Sequence, residues 1–185
     1  MEIIVFSGIT NTGKSTAIRD LETQILKAGK TVKIYDERSR IYLDSHSRKN
    51  IDIYKLQKFI LEWEKERLQE LEFYKKEKKF DYILVDRTAT DGMVFIYWAL
   101  INWTLKNAEL LDDSHSIIEK SREIYDKIIY FYEMIKTDSR AEGFNSKEFH
   151  NIFENTIKTA YKDKVNFIRN NIYLEKETVI PEIYS

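Results

Sequence analysis

The sequence predicts an α/β fold of three layers, a parallel sheet of about five strands flanked by helices. Two features lead there. Short apolar runs alternate with longer segments whose apolar residues recur at helical spacing. The first run, Ile3-Ile4-Val5-Phe6, is joined to the first helix by a turn carrying Gly8 and Gly13, in a chain with only 5 glycines. Strands covered on both faces read as unbroken apolar runs of this kind.

Composition narrows the classes. Of 185 residues, 43% are hydrophobic and 33% charged, which suits one globular unit, taken as a single domain over residues 1–185. A formal net charge of -1 supplies no global basic surface for a nucleic-acid duplex. With no cysteine there is no disulfide framework or thiolate metal site, and His46, His115 and His150 lack ligand spacing. The longest apolar run, Met93 to Ile101, is too short to cross a bilayer, and a strand starting at Glu2 leaves no room for a leader. A cytoplasmic protein with no membrane partner is expected.

The turn reads Gly8-Ile9-Thr10-Asn11-Thr12-Gly13-Lys14-Ser15. This is the G-x-x-x-x-G-K-[ST] spacing of a Walker A loop between a strand and a helix, and it specifies the α/β layers as a P-loop NTPase fold. The glycines let successive N–H groups point inward around phosphate oxygens, and the following helix adds its positive end. Asn11, Thr12, Gly13, Lys14, Ser15 and Thr16 are therefore the candidate nucleotide cradle. Lys14 reaches the β- and γ-phosphates, and the Ser15 hydroxyl holds Mg²⁺.

A helix from Lys14 to about Ala28 follows, with Gly29 suited to end it. Thr31 to Tyr35 is the second strand. Asp36-Glu37-Arg38-Ser39-Arg40-Ile41-Tyr42 is a polar cluster at its end, where α/β sheets hold ligands. Ile53, Leu56, Phe59/Ile60, Trp63, Leu68, Leu71 and Tyr74 trace a helix over about 51–79, with a break allowed. Phe80 to Asp86 is the third strand, and an apolar run ending in Asp86 is a Walker B pattern, a second metal ligand. Arg87 comes next, and Thr88 to Gly92 lead into an apolar helix from Met93 to Leu105. Ser116-Ile117-Ile118-Glu119 fits a capping box opening a short helix to about Asp126. Ile128 to Tyr132 is the fourth strand, residues 136–145 a polar lid segment carrying Arg140, residues 146–161 a helix, and Asn171 to Leu174 a last strand.

A phosphate loop names a nucleotide, not a reaction. A water-activating glutamate after the Walker B acid is absent, because Arg87, a permanent cation, stands there. Ile135-Lys136-Thr137-Asp138 misses the guanine-reading element by its first residue. A kinase needs a base for an acceptor hydroxyl and cations for the moving phosphoryl group. Glu37 is the first candidate for base, with Asp36 and Asp91 behind it; Arg87 and Arg140 are the candidate cations. Tyr42, Tyr97 and Trp98 are candidate surfaces for an acceptor ring, with core packing as the alternative for the last two.

The stretch Phe6-Ser7-Gly8-Ile9, the Gly13-Lys14-Ser15-Thr16 turn and Asp86-Arg87 resemble thymidylate kinases and their nucleoside monophosphate kinase relatives. Glu37-Arg38-Ser39-Arg40-Ile41-Tyr42, Asp86-Arg87 with Asp91 before Tyr97-Trp98, and Asp138-Ser139-Arg140 resemble the ribosylnicotinamide kinase-like proteins filed under an AAA-domain label. The resemblance implies acceptor-side roles for Arg40, Tyr42, Arg87, Asp91 and Tyr97. The second strand departs from thymidylate kinases in lacking the proline after Asp36-Glu37. Arg38, Arg40, Arg48 and Lys49 form a basic cluster that suits a phosphorylated acceptor, a nucleotide within a polynucleotide, or plain solvation. The expectation is an ATP- and Mg²⁺-dependent kinase acting on a nucleoside, nucleoside monophosphate or related small acceptor. The alternative is a P-loop ATPase or switch protein with no such acceptor. Aromatic-rich helices leave room for a homodimer.

Overall fold

Five strands pair side by side, all parallel, in the order β2-β3-β1-β4-β5 in the computed structural model, which describes residues 1–45, 52–102, 105, 106, 108–132 and 146–168. The strands are β1 (Glu2–Gly8), β2 (Val32–Tyr35), β3 (Tyr82–Asp86), β4 (Lys127–Phe131) and β5 (Val165–Ile168). The helices are α1 (Lys14–Lys27), α2 (Arg38–Ser45), α3 (Ile53–Glu77), α4 (Ala89–Ile101), α5 (Glu109–Ile124) and α6 (Lys147–Tyr161), the last followed by a single 3₁₀ turn, Lys162–Lys164. The expected three layers are present.

Strand period sorts the apolar residues between two cores. Ile4 and Phe6 of β1, with Leu84, Ile129 and Phe131, meet Ala17, Ile18, Leu21 and Ile25 of α1. Ile3 and Val5, with Ile83, Val85, Ile128 and Tyr130, face the opposite layer of α3 to α6. In that layer Phe149, Phe153 and Ile157 of α6 are fully buried, and Phe95 and Trp98 of α4 pack their rings against Phe149. β1 thus lies central and dry. Its carboxyl end, level with the ends of β3 and β4, is where α/β folds place ligands.

Four boundaries differ from the sequence expectation. Helix α4 starts at Ala89 rather than Met93 because Thr88 caps it, its side chain accepting from the Asp91 N–H; it ends at Ile101, not Leu105. Helix α5 starts at Glu109, so Ser116 lies inside a helix and opens no capping box. The polar cluster after β2 is mostly helical, as α2. The last described strand is Val165–Ile168, paired with β4, whereas residues 171–174 fall outside the described residues. Helix α3 runs unbroken, and α1 ends as expected, with Gly29 left-handed at φ 72.

Gly8 closes β1 at φ 130, and a Cβ there would lie 2.3 Å from the Phe131 carbonyl oxygen of β4. Backbone conformation and contact both demand glycine. Gly8→Ala is expected to lower the unfolding free energy by roughly 3–5 kcal/mol, read from urea denaturation midpoints. A loss below about 1 kcal/mol would mean that β1 and β4 do not approach this closely at the loop.

Candidate active site

The loop after β1 is curled by two left-handed residues, Asn11 at φ 60 and Gly13 at φ 87. Gly13 caps α1 without any side chain, so the start of that helix, with its positive end, adjoins the loop with no capping side chain from Gly13. Lys14 turns back over the same loop. Its Nζ donates to the Ile9 carbonyl at 2.6 Å and to Thr12 Oγ1 at 3.2 Å, and Thr12 Oγ1 donates to the Ile9 carbonyl at 3.0 Å. Burial, together with the nearby Arg87 charge, pushes the Lys14 ammonium down to about 7 despite the opposing pull of Asp86, Glu37 and Asp91. The cradle is therefore short of negative charge, which a phosphate tail supplies. Thr16, one residue on, is exposed.

Asp86 ends β3 directly beside this loop. Its Oδ2 accepts from Ser15 Oγ at 3.1 Å, while its Oδ1 is buried with no hydrogen-bond partner. Burial raises the carboxyl above its ordinary value, with Lys14 and Arg87 pulling the other way. An orphaned carboxylate oxygen beside a serine hydroxyl fits Mg²⁺, which takes one or two protein oxygens and completes its shell with phosphate and water. Among the described residues no group of three or more His, Asp or Glu could hold a metal.

Arg87 then makes an unusual turn. Its φ is 85, a conformation costing a non-glycine residue about 1–3 kcal/mol, and its amide is tied to the Phe6 carbonyl at 2.9 Å. The turn sends the side chain back across the sheet edge. There Nε donates to Glu37 Oε1 at 3.1 Å, and Nη1 donates to the Gly8 carbonyl at 2.6 Å and to Asp91 Oδ2 at 3.4 Å. Burial alone would lower this guanidinium, yet Glu37, Asp91 and Asp86 together raise it above its ordinary range. Glu37 also accepts from Ser39 Oγ at 2.7 Å, and Asp91 Oδ1 accepts from Ser7 Oγ at 2.6 Å and from Thr88 Oγ1.

These groups line one cleft. Its walls include Glu37, Arg38 and Ser39 from the end of β2 and α2, Ile60, Trp63 and Glu64 from α3, Asp86 and Arg87 from β3, and Asp91, Gly92 and Phe95 from α4. Glu37, Asp86, Arg87 and Asp91, all singled out from sequence, thus meet. Asp36 is exposed and outside the cleft. Tyr42 rests on Phe59 with ring centroids 5.3 Å apart, and Trp98 is edge-on to Phe149. Tyr97 is 46% exposed and lies off the cleft, because two residues along a helix rotate a side chain about 200° away from Phe95. Arg40 sits in α2 with its side chain outside the described residues, as are Arg48, Lys49 and Arg140 entirely. Sequence reading passed over Trp63, Glu64 and Arg67 as components of the site. The signal was present: Arg67 interrupts the apolar stripe Leu56, Ile60, Trp63, Leu71 with a cation, and Glu64 stands one turn before it.

The fold and the loop together define a P-loop protein of the α/β class. A family model described as an AAA domain matches residues 3–172, and the chain belongs to that family. No protein of curated function matches the sequence. Among solved structures, the chain is similar to deoxyadenosine kinase from M. mycoides with bound dATP, at 15% identity, TM-score 0.63 and 100% coverage of both chains. It is also similar to thymidylate kinase from Ehrlichia chaffeensis, at 14% identity, TM-score 0.62, and coverage of 100% of this chain and 98% of the other. Thymidylate kinase from Candida albicans matches at 12% identity and TM-score 0.57, over 94% of this chain and 89% of its own. At such identities the likeness establishes the shared fold alone. No helix among the described residues is long and apolar enough to cross a membrane.

Lys14 makes the ligand-free site sensitive to pH. Its folded value, about 7, lies below the unfolded one of 10.5, so the unfolded chain binds more protons between those limits and stability rises with pH there. Relative to Lys14→Met, the parent is expected to gain up to about 1.4 kcal/mol per pH unit between pH 7.5 and 9.5 in chemical denaturation. A flat difference would show that Lys14 stays fully charged in the fold.

Proposed function

We propose that the protein is an ATP- and Mg²⁺-dependent kinase that phosphorylates a hydroxyl of a nucleoside-like small acceptor. One observation carries the reading: the Glu37 carboxylate, fixed by Arg87 and Ser39, stands in a cleft that opens onto Asp86 beside the phosphate loop. A base on one strand end and a metal ligand on the next leave space between them for a hydroxyl and a γ-phosphate in line. The likeness to deoxyadenosine kinase and to thymidylate kinases supports this class of reaction.

In this mechanism the loop amides and Lys14 hold the β- and γ-phosphates, and contact with them restores the Lys14 charge. Ser15 and Asp86 would hold Mg²⁺, which would supply charge neutralisation for the phosphate chain. Glu37 accepts the proton of the acceptor hydroxyl as its oxygen bonds to the γ-phosphorus; the bond to the bridging oxygen breaks and ADP leaves. Arg87, close to both Glu37 and the loop, keeps the Glu37 oxygens aimed. Arg140 is the proposed lid cation.

Charge favours an unphosphorylated acceptor. Arg87, the cation nearest the proposed base, is already committed to Glu37, Asp91 and the Gly8 carbonyl, and four carboxylates line the cleft against Arg38 and Arg87. A dianionic phosphate entering there meets repulsion, whereas a neutral sugar hydroxyl finds an acceptor. Trp63 and Phe95 give the cleft its aromatic walls.

With ATP and Mg²⁺, a panel of nucleosides is expected to give acceptor-dependent ADP, with kcat/KM for the best nucleoside exceeding that for its monophosphate. ADP formation indifferent to every acceptor would instead indicate an ATPase or switch. Glu37→Gln is expected to keep ATP affinity and lose roughly 10²–10⁴-fold in kcat; unchanged turnover removes Glu37 from the mechanism.

A further inference from the structure

Beneath the cleft, Arg67 of α3 is 1% exposed, the largest fully buried side chain described. Its Nη2 donates to Glu64, to the Arg87 carbonyl at 3.0 Å and to Tyr125 Oη at 3.1 Å, and its guanidinium lies 4.5 Å from the centroid of the Trp63 ring. Nε and Nη1 have no hydrogen-bond partner. A buried ion pair is weak evidence for stability, and two unsatisfied nitrogens make this one costlier than an apolar side chain of the same size. What the geometry does deliver is directed at the site. Arg87 stands in a left-handed conformation, with its amide held by the Phe6 carbonyl of β1 and its own carbonyl held by Arg67. The peptide units on either side of its Cα are each pinned, and the direction of its side chain follows from that.

We infer that Arg67 is a positioning residue for phosphoryl transfer: by gripping the Arg87 carbonyl from α3, it holds Arg87 in the strained turn that aims its guanidinium at Glu37. The same guanidinium backs the Trp63 wall, so one buried cation sets both the charged and the aromatic side of the cleft. Lysine at position 67 ends one atom short of Nη2, the nitrogen that meets Glu64, Tyr125 and the Arg87 carbonyl, and has no planar face to lay against Trp63. Methionine addresses none.

The first measurement is independent of activity. In protein labelled with ¹⁵N-arginine, the Arg87 Nε–H, bonded to Glu37 away from water, gives a dispersed, slowly exchanging signal, assigned by its loss in Arg87→Lys. Arg67→Lys is expected to move that signal to the position of a solvated arginine. The pair Glu64→Gln/Arg67→Met, which removes both charges of this buried ion pair together, is expected to do the same if the lysine variant fails to fold. An undisturbed signal in either folded variant overturns the inference. The second measurement is a kinetic cycle, and it rests on the kinase reading above. Arg67→Lys is expected to lower kcat roughly 10- to 100-fold with the KM for ATP unchanged, as misplacement by about 1 Å does. In an Arg87→Ala background the same substitution is expected to change kcat less than about twofold, because it acts through Arg87. Losses that multiply in the double variant overturn the positioning role. Absence of turnover in the parent with any acceptor refutes the kinase reading alone, and the Arg87 signal still decides this one.

Discussion

Five charged groups share one poorly hydrated space at the carboxyl ends of β1, β2 and β3: Lys14, Arg87, Glu37, Asp86 and Asp91. Charges kept from water must find partners, or their ionised forms become costly. Here the partners are unevenly divided. Glu37 and Asp91 turn toward Arg87 and hold it firmly charged, whereas Lys14 is left with a carbonyl and a hydroxyl and is depressed to about 7. Asp86 keeps one oxygen bonded to Ser15 and one with no partner. On the proposed reading, a metal-bound phosphate chain would bring a further anion to Lys14 and a cation to the unpartnered Asp86 oxygen.

The fold imposes that division. Phe6 pairs with Asp86 in register, so the chain leaves β1 and β3 at the same height, and the Phe6 carbonyl is placed to take the Arg87 amide. Gly8, pressed against the Phe131 carbonyl, lets the loop leave β1 with no side chain between the strands, and frees its own carbonyl for Arg87. Asp91 is bound by Ser7 of β1 and by Thr88, the cap of α4. Each contact that fixes a charge is also a contact that ends a strand or starts a helix. Loss of local packing and loss of electrostatic order are then one event.

Much of this was legible in the residues. The alternation of apolar runs with helical segments yields the layered sheet because burial on both faces leaves no other way to read Ile3 to Phe6 or Ile83 to Val85. Gly13-Lys14-Ser15 and Asp86 were legible because phosphate and metal chemistry tolerate few substitutes. The start of α4 was not: Thr88 and Asp91 are ordinary turn residues until their mutual hydrogen bonds make them a cap. Arg67 was hidden by the assumption that arginine on a helix faces water, although its place in the stripe said otherwise. Tyr97 was attractive as an aromatic near Asp91, but helical rotation carries it away from Phe95 and the cleft.

The arrangement also separates two duties by strand. In the proposed reaction the phosphate loop after β1 and the acid ending β3 would handle the donor's charge, while the carboxylate after β2 and the walls from α3 and α4 would meet the acceptor. Arg87 belongs to both, since it follows the metal-side acid in sequence and reaches the β2 carboxylate in space. A water-activating site needs its base beside the metal, within reach of a small nucleophile. Here the candidate base stands one strand further out, across a cleft lined by Ile60, Trp63 and Phe95, and that distance suits a nucleophile carried on a larger, partly apolar molecule.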